Sequence, residues 1–494
     1  MPEVTVVTEG FGLLWDWRIP AVILMGLAFG LLVGSVPGLT AALGLAIALP
    51  FTLTMDQLPA LMLLTAIYTG SLTGGGITAI LMNAPGTPGA VVTAIDGYAM
   101  TKSGRYNQAL GLQICASVIG GFVGYIALFF LVQPLSDFAL RFGPAEMLAL
   151  TILVIVTIGS LDDAHFLRVV YSGVLGMLIA TIGTSVTTGI PRGSMGIRAL
   201  EDGVPAVLSV IGLFAIPELI SLGGRSRIVA SDDRQKTSVR DVLNGARQGL
   251  AFRGTLAQGS FIGVLIGVLP AAGATMASLL SYASARRRAK SNEKFGEGAP
   301  RGVVAAESAN NATEAGSMAI LLAIGIPGGA ATAVILGGFI LHGLVPGPRL
   351  FVDNGPAIYG LIFGNMVQMV IVGVMAVGFA SIVAHVVRAP SSVLIPCLLI
   401  SIGCGAFSLR GQLADVAIIY IFGLIGYFYR SYKFAATSLM IGLFLGARLD
   451  AEIVRFAVLY GDNLMGAIMR PIAASLLAIA FLITCASLWG SRSR

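Results

Sequence analysis

The sequence predicts an all-α polytopic membrane protein with about 10–12 transmembrane helices in two repeated halves, some of whose helices are broken or re-entrant. Three observations lead to this fold class. Of the 494 residues, 56% are hydrophobic and only 11% are charged, whereas soluble proteins carry about 25% charged residues. Several apolar runs reach the ~20 residues that a helix needs to cross a bilayer. Prolines and glycines interrupt these runs at corresponding places in the two halves.

Fourteen apolar segments are separated by short polar stretches. Some are too short to span a membrane, and others are long but interrupted by proline and glycine, so fewer crossings than segments are expected. The segments cover residues 19–51, 57–83, 108–133, 144–161, 166–190, 203–222, 254–284, 302–326, 329–345, 357–386, 391–408, 412–428, 434–448 and 464–490.

Lysine and arginine are concentrated in two connections, residues 223–248 and 285–302. Positively charged loops favour the cytoplasmic side, so both connections are predicted to be cytoplasmic, together with the C-terminal sequence SRSR. The net charge of +6 is then mainly a signal of topology. Because the basic loops lack interleaved aromatic residues, no nucleic-acid partner is expected.

The 223–248 connection is the most polar part of the chain and lies near its middle. We therefore predict two repeats joined by a linker. The first 18 residues lack a basic region ahead of an apolar core, so no cleaved signal peptide is expected. The predicted divisions are an N-terminal segment at 1–18, a first transmembrane repeat at 19–222, a cytoplasmic linker at 223–252, and a second transmembrane repeat with C-terminal helices at 253–490.

Two pairs of matching strings support the repeat. GLLVGSVP at 30–37 matches GVLIGVLP at 263–270 with an offset of 233 residues. TGGGITAILMNAPGTPG at 73–89 matches EAGSMAILLAIGIPGGA at 314–330 with an offset of 242 residues. Repeated halves with interrupted apolar segments at corresponding positions are typical of secondary transporters. An inverted arrangement is favoured, because the site at the membrane midplane is then built from both halves.

The two interrupted segments could form an ion or substrate site. Proline removes a backbone donor and frees a carbonyl upstream, and a helix that begins after a break presents N–H groups to an anion. Freed carbonyls beside Thr and Asn side chains suit Na⁺, which we predict at Asn310, Asn311 and Thr87. The alternative is a glycine hinge that serves packing only. The predicted site residues are Asn83, Pro85, Gly86, Thr87, Pro88, Thr93, Asn310, Asn311, Thr313, Pro327 and Gly328.

Three acidic residues are candidates for coupling transport to an ion. Glu307 and Glu314 are seven residues apart within an apolar run, so they share one helical face. A carboxylate inside a membrane indicates function, here proton or Na⁺ coupling. Glu307 could instead pair with Arg301 or another basic residue at the cytoplasmic rim. Asp96 either caps the turn before Gly97 or contacts the coupling ion.

Enzymatic chemistry has no support in the sequence. The four cysteines form no CxxC pair, and the three histidines show no ligand spacing. HExxH, GxSxG and GxGD motifs are absent, as is the GxxxxGK[ST] nucleotide motif. We therefore expect a protein that is not an enzyme and that needs no cofactor besides a coupling ion, Na⁺ or H⁺.

The interrupted segments lie within longer strings that resemble one family, the large membrane subunits of tripartite tricarboxylate transporters, the TctA type. The resemblance spans residues 12–475. The segment at 433–450 departs from the family pattern, as does PAAGATMAS after residue 269. The strings are GLLVGSVPGLTAALGLAIALPFT, YTGSLTGGGITAILMNAPGTPGAVVTAIDGYAMTKSGRYNQALG, GVLPAAGATMASLLSYASARR, FGEGAPRGVVAAESANNATEAGSMAILLAIGIPGG and LHGLVPGPRLF.

This resemblance implies a system of three components in a bacterial cytoplasmic (inner) membrane. The partners would be a small four-helix membrane subunit and a periplasmic solute-binding protein, and the system would import a carboxylate using an ion gradient. The residues that correspond to the family's site are Pro85, Gly86, Thr87, Pro88, Asn310, Asn311, Pro327 and Gly328. The alternative hypothesis is a passive anion or ion channel with a glycine-rich re-entrant filter.

Overall fold

Apolar stretches fold as helices along almost the whole chain. The computed structural model describes residues 4–161, 166–185, 188–223, 237–270, 272–290, 293–382, 391–461 and 463–492. Among these residues the extended structure is one two-stranded antiparallel hairpin, with β1 at Gly183–Thr184 and β2 at Pro191–Arg192. The predicted all-α polytopic class is confirmed.

The described residues form twenty α-helices, joined in places by short 3₁₀ turns. The helices are α1 Val4–Gly12, α2 Arg18–Ser35, α3 Ala41–Ala48, α4 Gln57–Met82, α5 Ala90–Lys102, α6 Tyr106–Ala139, α7 Pro144–Leu161, α8 Phe166–Ala180, α9 Ala206–Gly223, α10 Val239–Gly249, α11 Arg253–Gly267, α12 Gly273–Arg287, α13 Pro300–Ile324, α14 Ala330–Leu341, α15 Leu350–Phe379, α16 Ser391–Arg410, α17 Leu413–Ser431, α18 Ala436–Tyr460, α19 Leu464–Ile468 and α20 Pro471–Arg492.

Within the described part of the chain, seven helical segments are long and apolar enough to cross a membrane. The chain is therefore a multi-pass membrane protein, and the total of 10–12 crossings stays a prediction. Shorter apolar helices such as α3 and α14 accompany these spans. The seven segments are α2, α4, α6, α9, the combined stretch Val239–Gly267, α15 and α17.

The chain divides into two compact units. The first contains Met1–Leu135 and Glu218–Gly405, and the second contains Ser136–Pro217 and Ala406–Arg494. Both predicted repeats contribute to each unit. The repeat boundaries themselves stay a prediction, and residues 224–236 of the predicted linker lie outside the described residues.

Inside the first unit, the repeat appears as two equivalent pairs of closely packed helices. α2 packs on α4, and α11 packs on α13. A Cβ added to Gly34 would lie 2.1 Å from the backbone oxygen of Ser71, and one added to Gly267 would lie 2.5 Å from that of Thr313. These contacts repeat the sequence offsets of 233 and 242 residues. Glycine therefore lets each pair of backbones touch, as small residues do between membrane helices.

Other helices of the first unit are exchanged between the repeats. α5, from the first repeat, packs on α12 and α13, whereas α14, from the second, packs on α3 and α4. The flanking segments add to this packing, since α1 from the N-terminal segment packs on α15 and α10 from the linker lies against α6, where Gly245 faces the backbone of Gln108. The two repeats are thus interleaved, and each one completes the packing of the other.

Both interrupted segments end a helix at the same point of the repeat. Asn83 follows α4 with φ of 52° and Gly325 follows α13 with φ of 79°, again 242 residues apart. A left-handed residue is a common end for a helix, and glycine and asparagine adopt this conformation most readily. After each end a short turn leads into a new helix, which begins at Ala90 or at Ala330. These are broken helices, as predicted.

We predict that Gly267→Ala destabilises the protein and that Gly254→Ala on the same helix does not. The added methyl would overlap the backbone of α13 in the first case, whereas nothing lies within 4 Å of it in the second. Overpacking of this kind costs about 1–3 kcal/mol. The measurement is the midpoint of thermal unfolding in detergent, with the yield in the membrane fraction. Equal stability of the two variants would contradict the close contact between α11 and α13.

Candidate functional site

The centre of the first unit is α13, which is enclosed by protein on all sides. Every residue from Gly302 to Ala323 is buried, although this helix carries two glutamates and two asparagines. Every residue of α4 from Leu58 to Ile80 is buried as well. Polar side chains on these helices therefore face other protein groups rather than lipid, as side chains at a site inside a membrane protein do.

Glu307 is held by side chains from two other helices. Thr93 Oγ1, on α5, donates a hydrogen bond to Glu307 Oε1 at 2.5 Å. From α6, Ser117 Oγ donates to Glu307 Oε2 at 2.9 Å, and Gln113 Nε2 donates to the same oxygen at 3.4 Å. Gly76 completes the surroundings, since a Cβ there would lie 2.8 Å from Oε1. The carboxyl group thus joins α13 to both helices that follow the first break.

Glu314 lies two turns further along α13 and has a different set of partners. Thr69 Oγ1 and Tyr125 Oη donate to Glu314 Oε1 at 2.7 and 2.8 Å. Gln368 Nε2, on α15, donates to Thr69 Oγ1 at 2.7 Å. Glu314 Oε2 has no hydrogen-bond partner among the described residues. Four helices, α4, α6, α13 and α15, therefore meet at this carboxyl group.

Neither glutamate forms a salt bridge with a basic residue of the described chain. The alternative pairing of Glu307 with Arg301 is not observed, because Arg301 pairs with Glu293 at 3.1 Å. A buried carboxylate without a counter-charge is strongly unfavourable. Each group therefore needs a proton or a bound cation in at least one state of the protein.

The first break lies directly against α13 and α4. A Cβ on Gly89 would come within 2.1 Å of Asn310 Oδ1, and one on Gly75 within 2.5 Å of Thr87 Oγ1. The Asn310 amide lies beside the Glu307 carboxyl, yet neither of its polar atoms makes a hydrogen bond of ordinary geometry. Thr87 Oγ1 is also buried without a partner within the described chain. Unpaired buried polar atoms are uncommon, so each calls for a partner such as a water, an ion or a ligand.

Asn311 links this region to α4. Its Nδ2 donates to Thr73 Oγ1 at 3.3 Å, while its Oδ1 has no partner among the described residues. The predicted residues Thr87, Thr93, Asn310, Asn311, Glu307 and Glu314 are therefore gathered along one buried helix and the break beside it.

The other predicted residues of the first break shape its backbone rather than present polar side chains to Glu307. Asn83 is exposed and ends α4 in the left-handed conformation. Pro85 is half-buried and Pro88 is exposed. Gly86 is pressed against the backbone oxygen of Gly34, which leaves no room for a side chain.

The second break shares no hydrogen bond with the two glutamates in the described structure. Pro327 and Gly328 are buried, and a Cβ on Gly328 would lie 2.7 Å from Ser317 Oγ. Thr313 turns its hydroxyl to the Ala309 carbonyl of its own helix at 2.6 Å. None of these three residues shares a hydrogen bond with Glu307 or Glu314 in the described structure.

Asp96 is buried and links α5 by hydrogen bonds to the residues just before α13. Its Oδ1 accepts hydrogen bonds from the backbone N–H groups of Gly296, Gly298 and Ala299 at 2.8–2.9 Å. Its Oδ2 accepts from Tyr282 Oη at 2.9 Å. These partners are more than 180 residues away along the chain, so the carboxylate joins distant elements rather than capping its own turn. The coupling role stays a prediction.

Sequence reasoning missed Thr69, Gln113, Ser117, Tyr125 and Gln368. Gln113 and Gln368 lie inside the long apolar helices α6 and α15, and a buried amide inside a membrane helix is itself an indication of a site. Threonine, serine and tyrosine occur in many membrane helices, so those three carried no comparable signal. They were recognisable only once the helices were assembled.

Comparison with known proteins places the chain among membrane transporters. Residues 21–441 match the family described as the tripartite tricarboxylate transporter TctA family. An Agrobacterium vitis protein described as an uncharacterized 52.8 kDa protein in the TAR-I ttuC' 3' region is 32% identical over 459 residues, which cover 92% of this chain and 90% of the relative.

A second relative from Agrobacterium vitis is described as an uncharacterized protein in the TAR-II ttuC' 3' region. It is 31% identical over 217 residues, or 44% of this chain and 90% of the relative. No solved structure matches the chain.

We predict that Asp96→Ala destabilises the protein far more than Asp96→Asn or Tyr282→Phe. Alanine would leave the Gly298 and Ala299 N–H groups buried without an acceptor, at about 1–3 kcal/mol each. Asparagine keeps one acceptor oxygen, and Tyr282→Phe removes one donor only. Thermal unfolding in detergent measures the order. If Asp96→Asn and Asp96→Ala lower the unfolding temperature equally, the hydrogen bonds of Asp96 do not stabilise the protein as proposed. A stable Asp96→Asn variant that has lost transport would instead support the coupling role.

Proposed function

Because the chain belongs to the tripartite tricarboxylate transporter TctA family, we propose that it is the large transmembrane subunit of a binding-protein-dependent secondary transporter. It imports a carboxylate into bacteria across the cytoplasmic membrane, driven by a Na⁺ or H⁺ gradient. A periplasmic binding protein delivers the substrate, and a small four-helix membrane subunit completes the complex. The site lies at the membrane midplane, where the first break meets α13, the helix that ends at the second break.

The observation that carries this proposal is the buried polar face of α13. Glu307 has no basic partner in the described chain, and Asn310 and Thr87 beside it have unpaired polar atoms. Polar groups that served only to stabilise the fold would be expected to hydrogen-bond to other protein groups. Groups that are left unpaired in an enclosed place suit ligands that come and go during transport.

The first break can hold a carboxylate without a fixed positive charge. α5 begins at Ala90 beside Asn310. Its Ala90 and Val91 N–H groups bond to the Thr87 and Pro88 carbonyls, so it favours an anion through the positive end of the helix dipole. The Asn310 amide and the Thr87 hydroxyl supply further donors. Because no salt bridge is involved, binding would be weak enough for release on the other side of the membrane.

A cation at Glu307 would couple the ion gradient to the substrate. The carboxylate of the substrate and that of Glu307 repel each other at short range in a medium of low dielectric constant. A Na⁺ ion held by Glu307 with Asn310 and Thr87 removes that repulsion, as a proton on Glu307 would. Each ligand then raises the affinity for the other, which is the reciprocal coupling that symport requires.

Membership of a transporter family favours transport over catalysis. A passive channel remains the competing function, and it differs in an observable way. A channel would carry current in reconstituted membranes without the soluble binding protein, whereas the proposed transporter would need that protein for uptake.

We predict that Thr87→Ala, Asn311→Ala and Glu307→Gln each reduce uptake at least tenfold while the protein still inserts into the membrane. The alanine variants remove oxygens that would hold the ion or substrate, and glutamine removes the charge at unchanged shape. The measurement is uptake into proteoliposomes that contain both membrane subunits and the binding protein. The substrate is found first by a thermal-shift screen of the binding protein with citrate and other di- and tricarboxylates.

Thr65→Val is the matched control for these variants. Thr65 is buried on α4, and its hydroxyl bonds only to carbonyls of its own helix, at 3.1 and 3.3 Å. This variant should keep uptake within twofold of the unaltered protein. Normal uptake in all three site variants would overturn the site, and single-channel currents without the binding protein would favour the channel.

A further inference from the structure

We propose that Glu314 is the centre of a second Na⁺ site, formed by Glu314 Oε2, Asn311 Oδ1 and Gln368 Oε1, so that two sodium ions accompany each carboxylate. The inference rests on the proposed transport function and deepens it. Glu314 lies seven residues after Glu307, which is about 10 Å along a helix. The two carboxyl groups share no partner side chain in the described structure, so they can bind ions separately.

Unpaired oxygens lie on α13 and α15, the two helices that hydrogen bonds through Thr69 connect. Glu314 Oε2, Asn311 Oδ1 and Gln368 Oε1 are all buried without a hydrogen-bond donor in the described chain. Asn365, one turn before Gln368, has an unpaired oxygen and an unpaired nitrogen. Burying an acceptor without a donor is costly, so oxygens on helices joined in this way call for a common partner.

The hydrogen bonds of Gln368, Asn311 and Glu314 leave these oxygens free to bind a cation. The nitrogen of Gln368 is committed to Thr69 Oγ1 at 2.7 Å, and that of Asn311 to Thr73 Oγ1 at 3.3 Å. Both amides therefore present their oxygens elsewhere. Thr69 and Tyr125 both donate to Glu314 Oε1, which leaves Oε2 as the free oxygen of the carboxylate.

A sodium ion accounts for this arrangement better than a proton does. A proton on Glu314 Oε2 supplies a single donor, which satisfies only one of the amide oxygens. A hard cation is coordinated by several oxygens at once, including amide and carboxylate oxygens. One carboxylate balances one positive charge, so the site suits a monovalent rather than a divalent ion.

A second ion changes what the transporter can achieve. With two ions per substrate, the accumulation ratio depends on the square of the Na⁺ gradient. A tenfold Na⁺ gradient then sustains about a hundredfold rather than a tenfold concentration of substrate, before any effect of the membrane potential. The second site would thus give a role to Gln368 on α15, a helix that makes none of the described hydrogen bonds to Glu307.

The direct test is binding of ²²Na⁺ to the purified full-length chain, which needs no substrate. We expect two ions per chain in the unaltered protein and in Thr65→Val. Glu314→Gln and Glu307→Gln should each bind one. Gln368→Met keeps both charges and the volume of the side chain, so it covers the case in which Glu314→Gln fails to fold. It should weaken binding of one ion at least tenfold.

The possible results separate this inference from the proposed function. One ion per chain in the unaltered protein, or two in Glu314→Gln, would overturn the second site while Na⁺-driven uptake could still stand. Uptake driven by a pH gradient with no bound Na⁺ would overturn the choice of sodium but leave the symporter in place. Failure of every ion gradient to drive uptake in the three-component system would overturn the proposed function itself.

Discussion

Two carboxyl groups lie inside a membrane protein with no basic side chain paired to them in the described part of the chain, and the surrounding helices supply hydrogen-bond donors instead. Glu307 and Glu314 are fully buried on α13. Hydroxyl and amide groups from four other helices, α4, α5, α6 and α15, surround them. Lipid could supply none of these partners. The requirement to enclose α13 therefore explains why short helices and both repeats pack around one polar helix.

Glycine makes this enclosure possible. In both repeats a glycine-rich helix touches the backbone of the helix that ends in a break, with Gly34 against Ser71 and Gly267 against Thr313. Helices at this distance leave no gap for lipid or water between them. The high glycine content, 64 of 494 residues, is thus a packing requirement for most positions, whereas Gly86 and Gly89 shape the break itself.

The two breaks are equivalent in backbone but differ in chemistry. Each follows a left-handed residue, Asn83 or Gly325, and each leads into a new helix. Among the described residues, the unpaired side chains of Thr87 and Asn310 lie at the first break. The repeat therefore provides the same backbone frame in both halves, while the side chains differ between them.

The sequence by itself determined the membrane class, the matching strings of the repeat, the positions of both breaks and the placement of Asn310, Asn311, Glu307 and Glu314 on one helix. The role of these four residues in transport stays a prediction. These features depend on composition or on strings that are continuous in the chain. The tertiary structure decided which side chains meet, because Thr69 and Glu314 are 245 residues apart and Gln368 and Thr69 are 299 apart. It also gave Asp96 its backbone partners in the loop before α13 and left Thr313 bonded to its own helix. Such contacts depend on how helices pack, and periodicity within one helix cannot reveal them.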